Sequence, residues 1–216
     1  MRFDVITIFP EIFGSFLKES LLAKAIKRKT IQIKIHNLRK WAKGKHQVVD
    51  DKPYGGGPGM VLKIEPIYKA VKAINKKKAA KIIFLSPRGK KFNQKTAQKW
   101  VKEIKQLIII SGRYEGVDER VKKLADETIS VGDFITLGGE IPAMAIIEAV
   151  ARLIPGVVGK KESIEKLDFP QYTRPEIVKL KFKNKKLKVL KVPKVLLSGN
   201  HKKIEEWREK HSKEVK

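Results

Sequence analysis

Short apolar runs alternate along the chain with amphipathic segments of helical period. The run Leu107–Ser111 is apolar almost throughout, which is typical of a strand covered on both faces of a parallel sheet. In Asn93–Ile104 the apolar residues Ala97, Trp100 and Ile104 share one face of a helix. The two patterns together indicate an open sheet with helices packed on it.

The same patterns predict an alternation of strands and helices through residue 153. Strands are predicted at Phe3–Ile8, Ile31–Ile35, Lys81–Leu85, Leu107–Ser111 and Thr128–Val131. One helix is predicted to begin at Pro10 and to continue through Leu17 and Leu21–Ala25, and others are predicted over Pro66–Ile74, Asn93–Ile104, Asp118–Ala125 and Ile141–Leu153. Because strands alternate with helices, the expected fold class is α/β with a mostly parallel sheet.

The pattern changes after Pro155-Gly156. Gly159–Phe169 is charged and has no clean period, so we interpret it as a linker. Pro175–Val192 is rich in lysine and its secondary structure is ambiguous. The last segment, Ser198–Lys216, predicts a highly charged helix that is capped near Asn200.

Charge is the most unusual property of the composition. The 216 residues include 49 Lys and Arg against 23 Asp and Glu, a formal net charge of +26. Such a charge favours a polyanionic partner or a membrane surface, although a lysine-rich surface can also reflect coding bias or a thermophilic host. We favour a nucleic acid, since +26 far exceeds what solubility requires.

Several classes of protein are excluded by what the sequence lacks. It has no cysteine, which excludes disulfides, Cys-ligated zinc, iron–sulfur clusters and thiol nucleophiles. No apolar run reaches the roughly 18 residues of a membrane span, and the first residues are not those of a signal peptide, so we expect a cytoplasmic protein without membrane contact.

Glycine is concentrated in three loops, Tyr54–Met60, Ser111–Gly116 and Gly132–Pro142. Ordinary tight turns would explain one such loop, but three beside charged or aromatic residues favour a ligand crevice at the strand ends. None contains a phosphate-loop or dinucleotide fingerprint, and no nucleophile elbow or H-E-x-x-H motif is present.

A set of motifs resembles one known family. HQVVDDKPYGGGPGM, FLSPRG, SGRYEGVDER, VGDF, LGGEIPAMA, ARLIPGVVG, PQYTRPE and LLSGNHKKIEEWR follow one another in this order. Together they resemble the bacterial tRNA (guanine-N1)-methyltransferases of the SPOUT superfamily. The resemblance implies an α/β domain with a deep trefoil knot that binds S-adenosylmethionine (residues 1–158), a linker (159–174) and a small helical tRNA-binding domain (175–216).

The resemblance also implies an activity and partners. Members transfer a methyl group from S-adenosylmethionine to N1 of the guanine at position 37 of tRNA, which lies 3′ of the anticodon. They are homodimers whose active sites combine residues of both subunits, they bind the anticodon stem–loop, and Mg²⁺ has been associated with the reaction.

Site residues are transferred from the family's motifs position by position, and none is assigned to a metal. The implied cofactor-binding residues are Leu85, Ser86, Pro87, Gly112, Tyr114, Glu115, Val131, Gly132, Phe134, Gly138, Gly139 and Pro142. The implied catalytic residues are Glu115, Arg152 and Glu162, with Asp168 as the alternative base. Glu162 begins the nearest counterpart of the family's Asp-Ser-Phe-like tripeptide, and Phe134 stands where Tyr is common.

The chemistry explains why these residue types are needed. N1 of a neutral guanine carries a proton, so a carboxylate must remove that proton before the lone pair can attack the methyl group. Negative charge then develops on O6, where an arginine can stabilise it. Two alternatives stay open, a non-enzymatic RNA-binding or ribosome-associated protein and a related knotted methyltransferase acting on ribosomal RNA.

Overall fold

The computed structural model describes residues 1–76, 79–159, 169–181 and 187–212. The chain divides between Ile164 and Glu165 into two compact units. This division falls inside the segment interpreted above as a linker. The two units are described separately.

The first unit contains seven strands and five α-helices in its described residues. The strands are β1 (Arg2–Thr7), β2 (Gln32–Asn37), β3 (Asp50–Asp51), β4 (Val61–Leu62), β5 (Lys81–Lys91), β6 (Gln106–Ile110) and β7 (Glu127–Ser130). The helices are α1 (Gly14–Lys18), α2 (Ser20–Lys27), α3 (Ile64–Ile74), α4 (Gln94–Glu103) and α5 (Glu140–Arg152). Turns of 3₁₀ helix occupy Pro10–Phe13, Leu38–Trp41 and Glu119–Leu124.

Five strands form one sheet in the order β2-β1-β6-β5-β7, and every neighbouring pair in it is parallel. The short strands β3 and β4 pair antiparallel beside it. The predicted α/β class with a mostly parallel sheet is confirmed. The apolar run predicted to be covered on both faces forms the central strand β6, where Leu107–Ile110 are buried.

Two hydrophobic cores lie on opposite faces of this sheet. On one face, Val5 and Ile109 pack with residues of α2, α4 and α5, among them Trp100. On the other, Ile6 and Ile108 pack with α3 and the 3₁₀ turn Glu119–Leu124. Alternate residues of a strand point to opposite faces, so each central strand contributes to both cores. The sheet is therefore the middle of three layers.

Strand β5 differs from its prediction. The Ser-Pro pair was expected to end the strand at Leu85, but β5 continues to Lys91. Leu85 and Lys90 both pair with Ile129 of β7, so the residues between them leave the ladder as a bulge. Sequence alone could not show this, since the second pairing depends on a strand about forty residues away.

Two predicted helices also have a different form. The helix predicted from Pro10 is divided into a 3₁₀ turn, α1 and α2, and Ser20 at the last junction has a left-handed backbone (φ 63°). The helix predicted at Asp118–Ala125 is a 3₁₀ turn, with the Asp118 side chain accepting a hydrogen bond from the Arg120 amide.

The second unit contains a β-hairpin as well as helices. Strands β8 (Ile177–Lys181) and β9 (Leu187–Lys191) pair antiparallel, and they are followed by α6 (Lys194–Leu197) and α7 (His201–His211). The expectation of a helical C-terminal domain is therefore only partly correct, because the alternation of lysine with apolar residues has the period of a strand. The capped terminal helix is confirmed, since the Asn200 side chain accepts a hydrogen bond from the Lys203 amide.

No residue that the structure describes in this second unit is buried. Aromatic contacts occur on its surface, where the Trp207 ring stacks on His211 at 4.2 Å and Arg208 lies over the Phe169 ring at 5.2 Å. In neither unit do the described residues form a helix long and apolar enough to span a membrane.

Candidate functional site

A cleft of about 450 Å³ opens at the carboxyl ends of β5, β6 and β7. Three loops form its walls, one from the bulge of β5, one after β6 and one after β7. The lining residues are Phe84–Arg88, Gly112–Val117, Glu119, Ile129–Val131, Phe134–Gly139 and Pro142. The carboxyl ends of parallel strands are where α/β proteins commonly bind ligands.

The first wall exists because β5 leaves the ladder and returns to it. Ser86, Pro87 and Arg88 project from the bulge into the cleft lining. Gly89 brings the chain back against β7, where an added Cβ would lie 2.5 Å from the carbonyl carbon of Ile129. A side chain at this position would therefore collide with the backbone of β7 and displace the first wall.

The second wall follows β6. Tyr114 has a left-handed backbone (φ 59°), a conformation that is costly for an aromatic residue and is often found at functional sites. The Glu115 amide donates to the Met60 carbonyl at 3.1 Å, and an added Cβ on Gly59 would lie 2.5 Å from Glu115 Cγ. The Gly-rich loop Tyr54–Met60 thus contacts the cleft through Glu115.

The second and third walls are joined by their backbones. The Gly139 amide donates to the Gly112 carbonyl at 2.9 Å, and the Ser111 hydroxyl donates to the Gly139 carbonyl at 3.3 Å. An added Cβ on Gly139 would lie 2.8 Å from Ser111 Cα, so only glycine permits this close approach.

A buried carboxylate reinforces this junction. Glu140, the first residue of α5, has no solvent exposure and accepts hydrogen bonds from Thr7 Oγ1 at 2.6 Å and Arg113 Nε at 2.8 Å. Arg113 also donates to the Leu137 carbonyl at 3.3 Å and lies over the Phe9 ring at 4.9 Å. We call Thr7, Arg113 and Glu140 the loop clamp, because it connects β1 with two walls of the cleft.

The loop clamp was not among the sites predicted from the sequence. Arg113 and Glu140 lie inside the motifs SGRYEG and LGGEIPAMA, but nothing in the spacing shows that they meet. An apolar helix that begins with a glutamate was the available signal, since a buried carboxylate requires hydrogen-bond donors.

The structure brings together most of the residues expected to bind the cofactor. All of them line the cleft except Gly132, which directly follows the lining residue Val131. Glu115, expected to be catalytic, lines it as well. The roles of these residues stay predictions.

Of the other expected catalytic residues, the structure describes Arg152, which does not line this cleft. Arg152 is exposed in the last turn of α5, and Pro142 lines the cleft in the first turn. Ten residues of helix separate the two by roughly 15 Å along the axis. Glu162 and Asp168 lie outside the described residues.

The cleft walls combine apolar side chains with a few acidic groups. Pro87, Val131 and Leu137 can cover a flat aromatic ring, while Glu115 places a carboxylate beside it. The other charged lining residues are ion-paired, Glu119 with Arg88 and Lys122, and Arg113 with Glu140. Such a cleft suits a ligand that joins an aromatic ring to a cationic group. No group of three or more His, Asp or Glu in the described part of the chain is placed to hold a metal ion.

A second buried carboxylate, Asp4, lies near the amino end of β1. It accepts hydrogen bonds from Arg2 at 2.7 Å and Gln106 at 2.8 Å, and His36 Nε2 lies 2.7 Å from the same carboxyl group. Burial raises the pKa of Asp4, but the hydrogen bonds from His36, Arg2 and Gln106 outweigh it and hold the pKa below 3.8. No role for His36 was predicted from the sequence.

Comparisons with known proteins agree with the resemblance. Residues 1–216 match the family model described as "tRNA (Guanine-1)-methyltransferase TrmD". A protein from Dictyoglomus turgidum is 48% identical over 219 residues, covering 98% of this chain and 85% of the relative. One from Carboxydothermus hydrogenoformans is 50% identical over 220 residues, covering 98% and 83%. Both are named tRNA (guanine-N(1)-)-methyltransferase.

Proposed function

The chain belongs to the tRNA (guanine-1)-methyltransferase family, and we propose that it transfers a methyl group from S-adenosylmethionine to N1 of guanine 37 in tRNA. The observation that carries the proposal is the match over the whole chain, to a family model and to relatives of this name. The cleft at the carboxyl ends of β5, β6 and β7 supports it by providing a site of suitable size and chemistry.

The cleft residues fit S-adenosylmethionine. The volume of the cleft, about 450 Å³, lies within the usual range for small-molecule sites. The apolar walls would hold the adenine ring, and the carboxylate of Glu115 would face the positively charged end. When bound there, S-adenosylmethionine supplies an electrophilic methyl group on a sulfonium.

This chain's side chains would prepare the guanine. A carboxylate takes the proton from N1, and we assign this role to Glu162, with Asp168 as the alternative. Arg152 donates to O6, where negative charge develops as the proton leaves. Glu115, on the second wall of the cleft, is placed to accept a hydrogen bond from the base or from the cofactor's amino group.

The position of Arg152 supports a homodimer with shared sites. Within one chain it lies at the opposite end of α5 from the cleft, so a second subunit would have to bring it to the guanine. The cleft lining supports the same proposal, because Phe134, Ile135 and Leu137 are 58%, 86% and 90% exposed. Large apolar side chains exposed together commonly mark a protein interface.

We also propose the deep trefoil knot of the SPOUT superfamily for residues 1–158. It is supported by family membership and by the close contact between the loops after β6 and β7. The tRNA anticodon stem–loop would bind to the basic surface, with the lysine-rich segment 175–216 contributing. A cytoplasmic location follows from that substrate, and a magnesium requirement stays a prediction of the family resemblance.

Calorimetric binding of S-adenosylmethionine to the purified chain tests the proposal against an RNA-binding protein without chemistry. We expect saturable binding with a Kd that changes little between low and moderate salt, since the cleft offers mostly apolar and backbone contacts. Val131→Glu should abolish this binding by placing a carboxylate in the cleft wall, whereas Tyr68→Glu, at an exposed site outside the lining, should not. Failure of the unmodified chain to bind would contradict the proposed function.

A further inference from the structure

A second and larger groove lies next to the cleft. Its volume is about 1060 Å³, and its walls come from the 3₁₀ turn ending at Trp41, the strands β3 and β4, the start of α3 and the segment Val117–Arg120. None of the residues expected to bind the cofactor lines this groove. It therefore needs an explanation of its own.

The groove adjoins the cleft. Val117 and Glu119 line both of them. Leu62, in β4, connects the groove to the segment that lines both cavities. Its amide donates to the Gly116 carbonyl at 3.0 Å, and its carbonyl accepts from the Asp118 amide at 3.0 Å. A chain molecule with one unit in the cleft could therefore place neighbouring units in the adjacent groove.

The charge of the groove is positive once its ion pairs are considered. Asp51 pairs with Lys63 at 2.9 Å, and Asp118 pairs with Arg120 at 2.6 Å. Glu119 pairs with Lys122 and Arg88, which leaves Glu65 as the one lining carboxylate without an ion pair among the described residues. Lysines 43, 52 and 69 also line the groove, and none forms an ion pair within the described part of the chain.

Two aromatic residues accompany these lysines. Trp41 is half-buried in the wall of the groove, and Tyr54 at its rim is fully exposed. Tyr54 precedes Gly55, Gly56 and Gly57, whose Cβ positions have no neighbouring atom within 4 Å. The ring is thus presented to solvent on a loop that stands away from the body of the unit.

Resting on the proposed function, we infer that this groove binds the single-stranded nucleotides adjacent to the target guanine. Unpaired lysines attract phosphates, and aromatic rings stack with bases irrespective of their sequence. Lys43, Lys52 and Lys69 contact the phosphates. Tyr54 and Trp41 stack with bases that are no longer stacked on their neighbours in the anticodon loop. The cleft holds the reacting base, and the groove positions the strand that carries it.

Equilibrium binding of an unmodified tRNA transcript across a range of salt concentrations tests this inference. In the double variant Lys43→Ala, Lys69→Ala, we expect Kd to rise about tenfold or more and the slope of log Kd against log salt to decrease by about two, one for each phosphate that is no longer neutralised. The matched control is Lys72→Ala, Lys95→Ala, which removes the same charge from exposed positions outside the groove.

Tyr54 provides an independent comparison. Tyr54→Ala should weaken tRNA binding roughly fivefold or more because the ring no longer stacks with a base, and Tyr54→Phe should retain it. In steady-state assays both the lysine variant and Tyr54→Ala should raise KM for tRNA while kcat at saturating tRNA and Kd for S-adenosylmethionine change less than about twofold.

Equal Kd values and salt slopes for the two lysine double variants would overturn the inference. So would a loss of affinity in Tyr54→Phe as large as that in Tyr54→Ala. Because the readout is tRNA binding, these outcomes are distinguishable from failure of the proposed function, which would appear as absent S-adenosylmethionine binding or absent methylation in the unmodified chain.

Discussion

Glu140 holds two walls of the cleft together through one fully buried carboxylate. The substitution Glu140→Gln keeps the size of the side chain but removes the negative charge that pairs with Arg113. We therefore expect the free energy of unfolding to fall by about 1.5–3 kcal/mol. The affinity for S-adenosylmethionine should fall about tenfold or more, because the two walls separate. Denaturant unfolding and calorimetry measure the two effects, with Glu148→Gln, exposed on the same helix, as the control.

A double-mutant cycle shows whether the effect on the cleft comes through Arg113. Arg113→Met and Glu140→Gln together should cost much less cofactor affinity than the sum of the single changes, because each removes the same contact. Additive losses would contradict a positioning role for the loop clamp and leave a general loss of stability as the explanation.

Asp4 is expected to stabilise the protein in a pH-dependent manner. Hydrogen bonds from His36, Arg2 and Gln106 hold its pKa below 3.8 in the folded state, although burial acts in the opposite direction. A carboxyl group with a depressed folded-state pKa contributes stability above the unfolded pKa, and the contribution is lost as the pH falls through the folded pKa. Asp4→Asn should therefore destabilise the protein at pH 7, and the difference from the unmodified chain should shrink below pH 3.8.

Unfolding in urea at a series of pH values measures this difference. A destabilisation by Asp4→Asn that is constant between neutral and strongly acidic pH would contradict the linkage. Asp133→Asn is a suitable control, since this carboxylate is exposed and its partner Lys91 is exposed too.

The identity of the general base is a prediction from motif order. We expect Glu162→Gln to lower kcat by a factor on the order of 10²–10⁴, the usual contribution of a general base, with little change in cofactor affinity. Asp168→Asn should reduce turnover much less. Single-turnover methylation separates the two, and near-normal rates for Glu162→Gln with abolished rates for Asp168→Asn would assign the base to Asp168.

At the scale of elements, the bulge of β5 produces the first wall of the cleft. Gly89→Ala would place a Cβ 2.5 Å from the backbone of Ile129, so we expect loss of stability and of cofactor binding together. Gly14→Ala is the control, because no atom lies within 4 Å of its Cβ position and helix α1 tolerates alanine well. Thermal unfolding and calorimetry should show the first variant impaired and the second unchanged or more stable.

Elements whose pattern is local were predictable from the sequence, and those that depend on distant pairing were not. The apolar run of β6 and the one-sided pattern of α4 carry their structure in their own residues. The return of β5 to the ladder requires β7. The hairpin of β8 and β9 is a local pairing with the period of a strand, but this lysine-rich segment was ambiguous in the sequence analysis. Two of the three cleft walls were identified as glycine clusters, and the first wall only through the family resemblance. The loop clamp was not identified, because Thr7 and Glu140 are 133 residues apart.

At the scale of the whole molecule, the proposed shared site predicts complementation between two inactive variants. Val131→Glu disables the cleft, and Arg152→Ala removes the arginine at the other end of α5. Mixed subunits should recover up to about a quarter of normal activity, because half of the dimers are mixed and each contains one intact composite site. No recovery after subunit exchange verified by mass spectrometry would contradict a shared active site.

The net charge of +26 by itself favours a polyanionic partner or a membrane surface, and charge alone cannot distinguish binding from catalysis. The match to the methyltransferase family provides that distinction. The role of a glycine or of a loop depends on the fold around it, which composition does not show. The candidate site residues therefore had to be transferred from the family resemblance.

Nucleoside analysis of a methylated tRNA tests the central claim most directly. The purified chain is incubated with methyl-labelled S-adenosylmethionine and either a tRNA transcript carrying guanine at position 37 or the same transcript with adenine there, and the digested nucleosides are separated by mass. We predict labelled 1-methylguanosine from the first transcript and none from the second. Absence of label from both, label on another atom or nucleoside, or equal 1-methylguanosine from both transcripts would contradict the account.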